Sequence, residues 1–120
     1  MKPTSTIRLV LLFEAATFVV AAAIHFGALL EGYDHRKAGT AETVIAVVLL
    51  GGLALTWSGA ARARTAPVGA QVFAILGVFV GLFTIAVGVG PRTALDIGYH
   101  FAILAVLAAG LAITARGRPT

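Results

Sequence analysis

Four apolar runs, at about 7–30, 41–61, 68–90 and 95–115, follow one another along the chain and are separated by short polar segments. Each reaches the ~20 residues that a helix needs to cross the hydrocarbon of a bilayer. The first run is too long for the apolar stretch of a signal peptide and carries Glu14 and His25 inside it, so it reads as a membrane span. Between the runs lie turn and cap signals. Gly32 and Asp34 mark a charged loop over 31–39, and Thr40 is the expected N-cap of the second helix. Pro67 is expected in the first turn of the third helix. The third helix closes on Gly88-Val89-Gly90-Pro91, and Thr93 with Asp96 has capping-box spacing at the start of the fourth. Short loops make consecutive helices antiparallel neighbours and bring the first beside the fourth. The pattern predicts an all-α fold, one antiparallel four-helix transmembrane bundle over residues 1–120.

Composition supports a membrane setting, since 59% of the 120 residues are hydrophobic and 12% are charged. Mean hydropathy is +0.98. The formal charge of +4 could suggest a nucleic-acid partner, but its distribution along the spans argues for topology instead. Lys2, Arg8, Arg62, Arg64, Arg116 and Arg118 fall on one side of the predicted bundle, and Arg36, Lys37 and Arg92 on the other. The positive-inside rule then places both termini in the cytoplasm. The sequence holds no cysteine and Met1 is its only methionine, which excludes disulfides, thiolate chemistry, iron–sulfur clusters and thioether copper sites.

Ionisable groups inside a membrane are costly and by default indicate function. His25 lies seventeen residues beyond Arg8, and His100 sixteen before Arg116, so both fall roughly 24–26 Å from the same face. Helical periodicity lines up Asp96, His100, Ile103, Leu107, Gly110 and Thr114 on one helix, and Glu14, Phe18, Ala21 and His25 on another. Both stripes should face the bundle interior. His25 and His100 are then expected to approach each other as ligands, with Glu42 and Asp96 as further ligands or orienting groups. Two imidazoles with carboxylates suit Zn²⁺, Mn²⁺ or Fe²⁺. A b-type haem held by both histidines is the other cofactor reading, although packed helix axes only ~8–10 Å apart leave little room for a porphyrin. The plainer readings are a cap for Asp96, a first-turn acid for Glu42 and hydrogen-bonded packing histidines. His35 reads as a solvated loop residue, and Tyr99 first as an interfacial aromatic and second as a hydrogen-bonding member of the site.

Glu14 sits about 9 Å into the core from Arg8 and is expected to be protonated unless paired, with Thr56, Gln71 or the Trp57 indole within reach. Its functional reading is a proton or cation site; its structural one is a single interhelical hydrogen bond. The third run carries Gly77, Gly81, Thr84 and Gly88 on one face, which suits either packing within the bundle or a homo-oligomer seam.

In size, helix number and the lone Glu14 of its first helix, the chain resembles in outline the small multidrug resistance transporters. That resemblance implies a dimeric, proton-coupled exporter working through Glu14. The tripeptide Trp57-Ser58-Gly59 departs from it, ending the second helix here, and the intramembrane histidines have no counterpart in that family. The outline is also similar to DoxX-like four-helix proteins, without a shared motif. The residues themselves lead first to an intramembrane His/carboxylate site that binds a metal ion or haem, linked to proton or electron movement. A Glu14-dependent transporter comes next, and a non-catalytic accessory subunit third.

Overall fold

The computed structural model describes residues 2–117. They form four helices, α1 (Pro3–His25), α2 (Arg36–Leu55), α3 (Ala60–Ala86) and α4 (Ala94–Arg116), and no strand is found among the described residues. The helices make an antiparallel bundle 46 Å long and 25 by 21 Å across. Consecutive helices pack closely, whereas α1 and α4 touch more sparsely where the ring closes. The α1–α2 and α3–α4 loops share one end, called the loop end below. The α2–α3 turn and both described chain ends share the other. All four helices are long and apolar enough to cross a membrane. Arg118, counted above with the basic terminal residues, lies outside the described residues.

Several helix ends differ from the sequence expectation, each for a local reason. α1 stops at His25 because Phe26 and Ala28 donate their N–H groups back to Ala22 and Ala23 and Gly27 turns the chain at φ 83°. α2 begins at Arg36, five residues early, because its cap is His35 and not Thr40. His35 Nδ1 accepts from the Ala38 N–H at 3.2 Å, and the Thr40 hydroxyl instead donates to the Arg36 carbonyl at 2.9 Å. His35 is therefore half-buried rather than a free loop residue. The turn after α2 is formed by Thr56–Gly59, so Arg62 and Arg64 are helical and Pro67 lies inside α3, not in its first turn. The Thr93–Asp96 capping box of α4 is present as its spacing predicted.

The core is a column of Leu11, Phe18, Leu49, Ile103 and Leu107, with Ala15 and Ala74 where helices approach. The opposite faces carry Leu9, Phe13, Val47, Leu76, Val80, Phe83 and Phe101 exposed along the flanks. That much contiguous apolar surface is matched by lipid, not by water. The small residues of α3 are used inside the bundle. A Cβ at Gly77 would meet Ile45 of α2, a Cβ at Gly81 would meet the His100 ring of α4, and Gly88 ends the helix in a turn at φ 85°. Of the three glycines expected on a homo-oligomer seam, Gly77 and Gly81 pack within one chain, whereas Gly88 lies exposed beyond the end of α3. At the terminal end Arg8 ties α1 to the end of α2. Its Nε donates to Thr56 Oγ1 at 2.9 Å, its Nη2 to the Thr56 carbonyl at 3.1 Å, and its guanidinium lies 4.0 Å from the Trp57 ring centroid.

Candidate functional site

Near the loop end three helix termini converge on one imidazole. His25 is the last residue of α1, Glu42 lies in the second turn of α2, and Asp96 is the third residue of α4. His25 Nδ1 lies 2.7 Å from Glu42 Oε2 and His25 Nε2 lies 2.9 Å from Asp96 Oδ1, and all three side chains are buried. Asp96 is further fixed through Oδ2, which accepts from the Thr93 N–H at 3.2 Å and from the Thr93 hydroxyl. The cap that starts α4 therefore also aims a carboxylate at His25. The His35 ring stands edge-on to His25 at 6.5 Å between centroids and covers the site from the loop side. It is held there by its bond to Ala38 and by Nε2, which donates to the Val89 carbonyl at 3.2 Å.

Proton counting gives the least protonated states in which this triad forms both of its bonds. A neutral imidazole carries one N–H, yet two nitrogen–oxygen hydrogen bonds are formed. Either the ring is an imidazolium between two carboxylates, or it is neutral and one carboxyl holds the second proton. Both arrangements share two protons among three groups and leave one net negative charge. Asp96 accepts at each of its side-chain contacts with Thr93, which suits its ionised form. Among the described residues the only ion pairs of Glu42 and Asp96 are those with His25, and neither carboxylate is paired with a Lys or Arg.

The triad separates two cavities. One, of about 150 Å³, lies among α2, α3 and α4 and is lined by Glu42, Tyr99, His100, Thr84, Lys37 and Pro91. The other, of about 570 Å³, is a groove between α1 and α4 lined by Phe13, Thr17, Val20, Tyr33, His25 and Asp96. Glu42 borders only the first, and His25 and Asp96 only the second; Tyr99 borders both. Phe13, Val20, Leu30 and Leu95 on the groove's rim are exposed on the flank of the bundle. The groove is where α1 and α4 fail to close.

The chain matches no protein family, no curated protein and no solved structure. Function has to be argued from the site.

His25, Glu42 and Asp96 are brought together, while His100 is not part of their hydrogen-bonded set. Its Nδ1 lies 2.7 Å from the carbonyl of Asp96, one turn back on its own helix. A carbonyl only accepts, so Nδ1 carries the proton. Nε2 is packed toward Gly81, where a Cβ would collide with it. The two histidines thus meet the same aspartate, one through its carboxylate and the other through its main chain. Among the described residues no group of three or more His, Cys, Asp or Glu side chains is arranged around a common metal position.

Glu14 forms a separate cluster toward the terminal end. It and Gln71 are both 0% exposed, and Gln71 Nε2 donates to both carboxyl oxygens at 3.1 Å. Gln71 was among the expected partners; Thr56 and Trp57 are engaged by Arg8 instead. Gln71 Oε1 and the Thr114 hydroxyl are enclosed without partners. Among the described residues no hydrogen bond links the Glu14–Gln71 pair to the His25 set.

Sequence reasoning missed the roles of two glycines and took Tyr99 chiefly as an interfacial aromatic. Gly81 provides the space that turns His100 toward α3, and Gly110 provides the space for the Glu14 carboxyl. Tyr99 forms the wall between the cavities, with its hydroxyl enclosed and unpartnered. Glycines opposite the polar residues in antiparallel helices were the available signal for the first two.

Proposed function

We propose that this is a small integral membrane protein that takes a ligand from the bilayer near its loop end and exchanges a proton with it through His25. The observation that carries this reading is the placement of the two ring nitrogens, each bonded to a carboxylate from a different helix, with the two carboxylates bordering different cavities. A proton reaching Asp96 from the groove neutralises that carboxylate, and the imidazolium then passes its Nδ1 proton to Glu42, on the side of the loop-end cavity. Charge and proton number in the triad are restored when Glu42 releases that proton. The excess of Lys and Arg at the terminal end supports cytoplasmic termini, which puts the triad near the outer face.

Nitrogen-15 NMR of histidine-labelled protein in bilayers tests the relay. Both ring nitrogens of His25 are expected to share hydrogen-bonded protons. Glu42→Gln should alter chiefly Nδ1 and Asp96→Asn chiefly Nε2, and Glu42→Gln should slow exchange of the ring protons with water by about a hundredfold. Exchange that is unchanged in Glu42→Gln defeats the relay.

A metal ion or haem iron would enter this site by displacing a proton between His25 and one carboxylate, because one ion cannot contact both nitrogens of a ring. Metal content and the visible spectrum of protein taken directly from native membranes check that variant of the reading. A second function, proton-coupled transport through Glu14, is supported by the two unpartnered oxygens beside that residue. Glu14→Gln is then expected to abolish proton-linked flux, and flux that survives it removes that function.

A further inference from the structure

We propose that the groove between α1 and α4 binds an amphipathic amine, with the ammonium head against Asp96 and the apolar body along α1. This deepens the proton-exchange reading by naming the ligand class and rests on the same triad.

Charge complementarity argues for the head. The triad retains one net negative charge, and its Asp96 carboxylate borders the groove. Burial makes such a charge expensive unless an opposite one is close. His25 is shared with Glu42 and so compensates only part of it. An entering ammonium supplies the missing charge together with N–H donors, and the carboxylate oxygens have lone pairs to accept them. Tyr99 adds a buried hydroxyl oxygen without a protein partner. The rings of Phe13, Tyr33 and Tyr99 border the same space and suit a cation by their electron-rich faces.

Shape argues for the body. Apart from the groups at its floor the groove is walled by Phe13, Ala16, Val20, Ala21, Ile24 and Leu95. Its 570 Å³ lies within the range of about 300–1,000 Å³ that accommodates a drug-sized molecule. A two-chain phospholipid is too large to be enclosed there, which favours a free amine over the amine headgroup of a lipid. The exposed apolar rim lets such a molecule enter sideways from the bilayer.

The test is equilibrium binding of naphthylethylammonium and of its neutral counterpart naphthylethanol to the full chain in lipid nanodiscs, with empty nanodiscs as background. The ammonium is expected to bind saturably and about tenfold or more tighter than the alcohol. Asp96→Asn should erase that preference. Ala16→Phe, which fills the groove without touching the triad, should weaken both ligands, whereas Thr65→Ala, at an exposed position of α3 away from the groove, should leave both unchanged. Thermal unfolding of each variant separates loss of the site from loss of the fold, and Ala16→Phe keeps the test decisive should Asp96→Asn fail to fold. Equal binding of amine and alcohol, or amine binding that survives Ala16→Phe, overturns the proposal. So does no saturable binding of either, the result expected if bilayer lipid fills the groove. Loss of amine binding leaves the NMR test of the relay unaffected, so the two ideas fail separately.

Discussion

A methyl group at Gly110 would overlap Glu14 Oε1 and press on Val10 and Gln71, so the missing side chain on α4 is what admits a buried carboxyl from α1. Gly110→Ala is therefore expected to destabilise the fold by about 1–3 kcal/mol, the usual cost of overpacking a tight interior. Thermal unfolding in a mild detergent reads this, and a Gly110→Ala protein as stable as the parent would mean Glu14 does not pack against α4. The two intramembrane histidines should differ sharply by the same measurement. His25→Ala strips two buried carboxylates of their shared partner and should cost about 3–5 kcal/mol, the penalty for breaking a buried charged set. His100→Ala removes one hydrogen bond to a carbonyl of its own helix and the ring beside Gly81, and should cost about 1–3 kcal/mol. Equal losses for the two would contradict the separation of His100 from the triad.

His35 joins two connections at once, since Nδ1 caps α2 and Nε2 reaches the carbonyl of Val89 in the α3–α4 loop. His35→Ala should lower stability by about 1 kcal/mol through the lost cap, and His35→Asn should recover most of it because Asn is a strong N-cap. Amide exchange in the first turn of α2 would report the change locally. A cap supplied by histidine also explains why the start of α2 was misjudged: Thr40 is the stronger cap by residue type, and only the return of the chain to His25, where the His35 N–H meets the His25 carbonyl at 2.8 Å, places His35 there. Where periodicity decides, the sequence was sufficient. The stripe of α4 read as Asp96, His100, Ile103, Leu107, Gly110 and Thr114 is the set buried on that helix, and Glu14, Phe18, Ala21 and His25 are all buried on α1. Which polar groups meet across helices was not legible, because side-chain direction depends on the partner's bulk. The space at Gly81 turns His100 toward α3, and the Thr93 cap turns Asp96 toward His25.

On the scale of the whole molecule, the proposed cytoplasmic placement of the termini rests on charge at the two ends. Lys2, Arg8, Arg62, Arg64 and Arg116 belong to the terminal end and Arg36, Lys37 and Arg92 to the loop end, and short basic loops are retained in the cytoplasm. Arg8 is partly spent on Thr56 and Trp57, but it stays at the terminal end and still counts toward retention. Because the chain has no cysteine, single thiols can report the result without background. Ser58→Cys in the α2–α3 turn and Asp34→Cys in the α1–α2 loop are both exposed positions, close to sites that define the two ends. An impermeant maleimide added to intact cells should label Asp34→Cys and not Ser58→Cys, with Ser58→Cys labelled only after the membrane is opened. The opposite pattern would put the His25 triad near the cytoplasmic face, where a proton released from Glu42 would enter the cell rather than leave it. Replacing Arg62 and Arg64 by Ala should shift part of the population toward that inverted orientation, since it removes two basic residues from the start of α3, beside a turn that carries none.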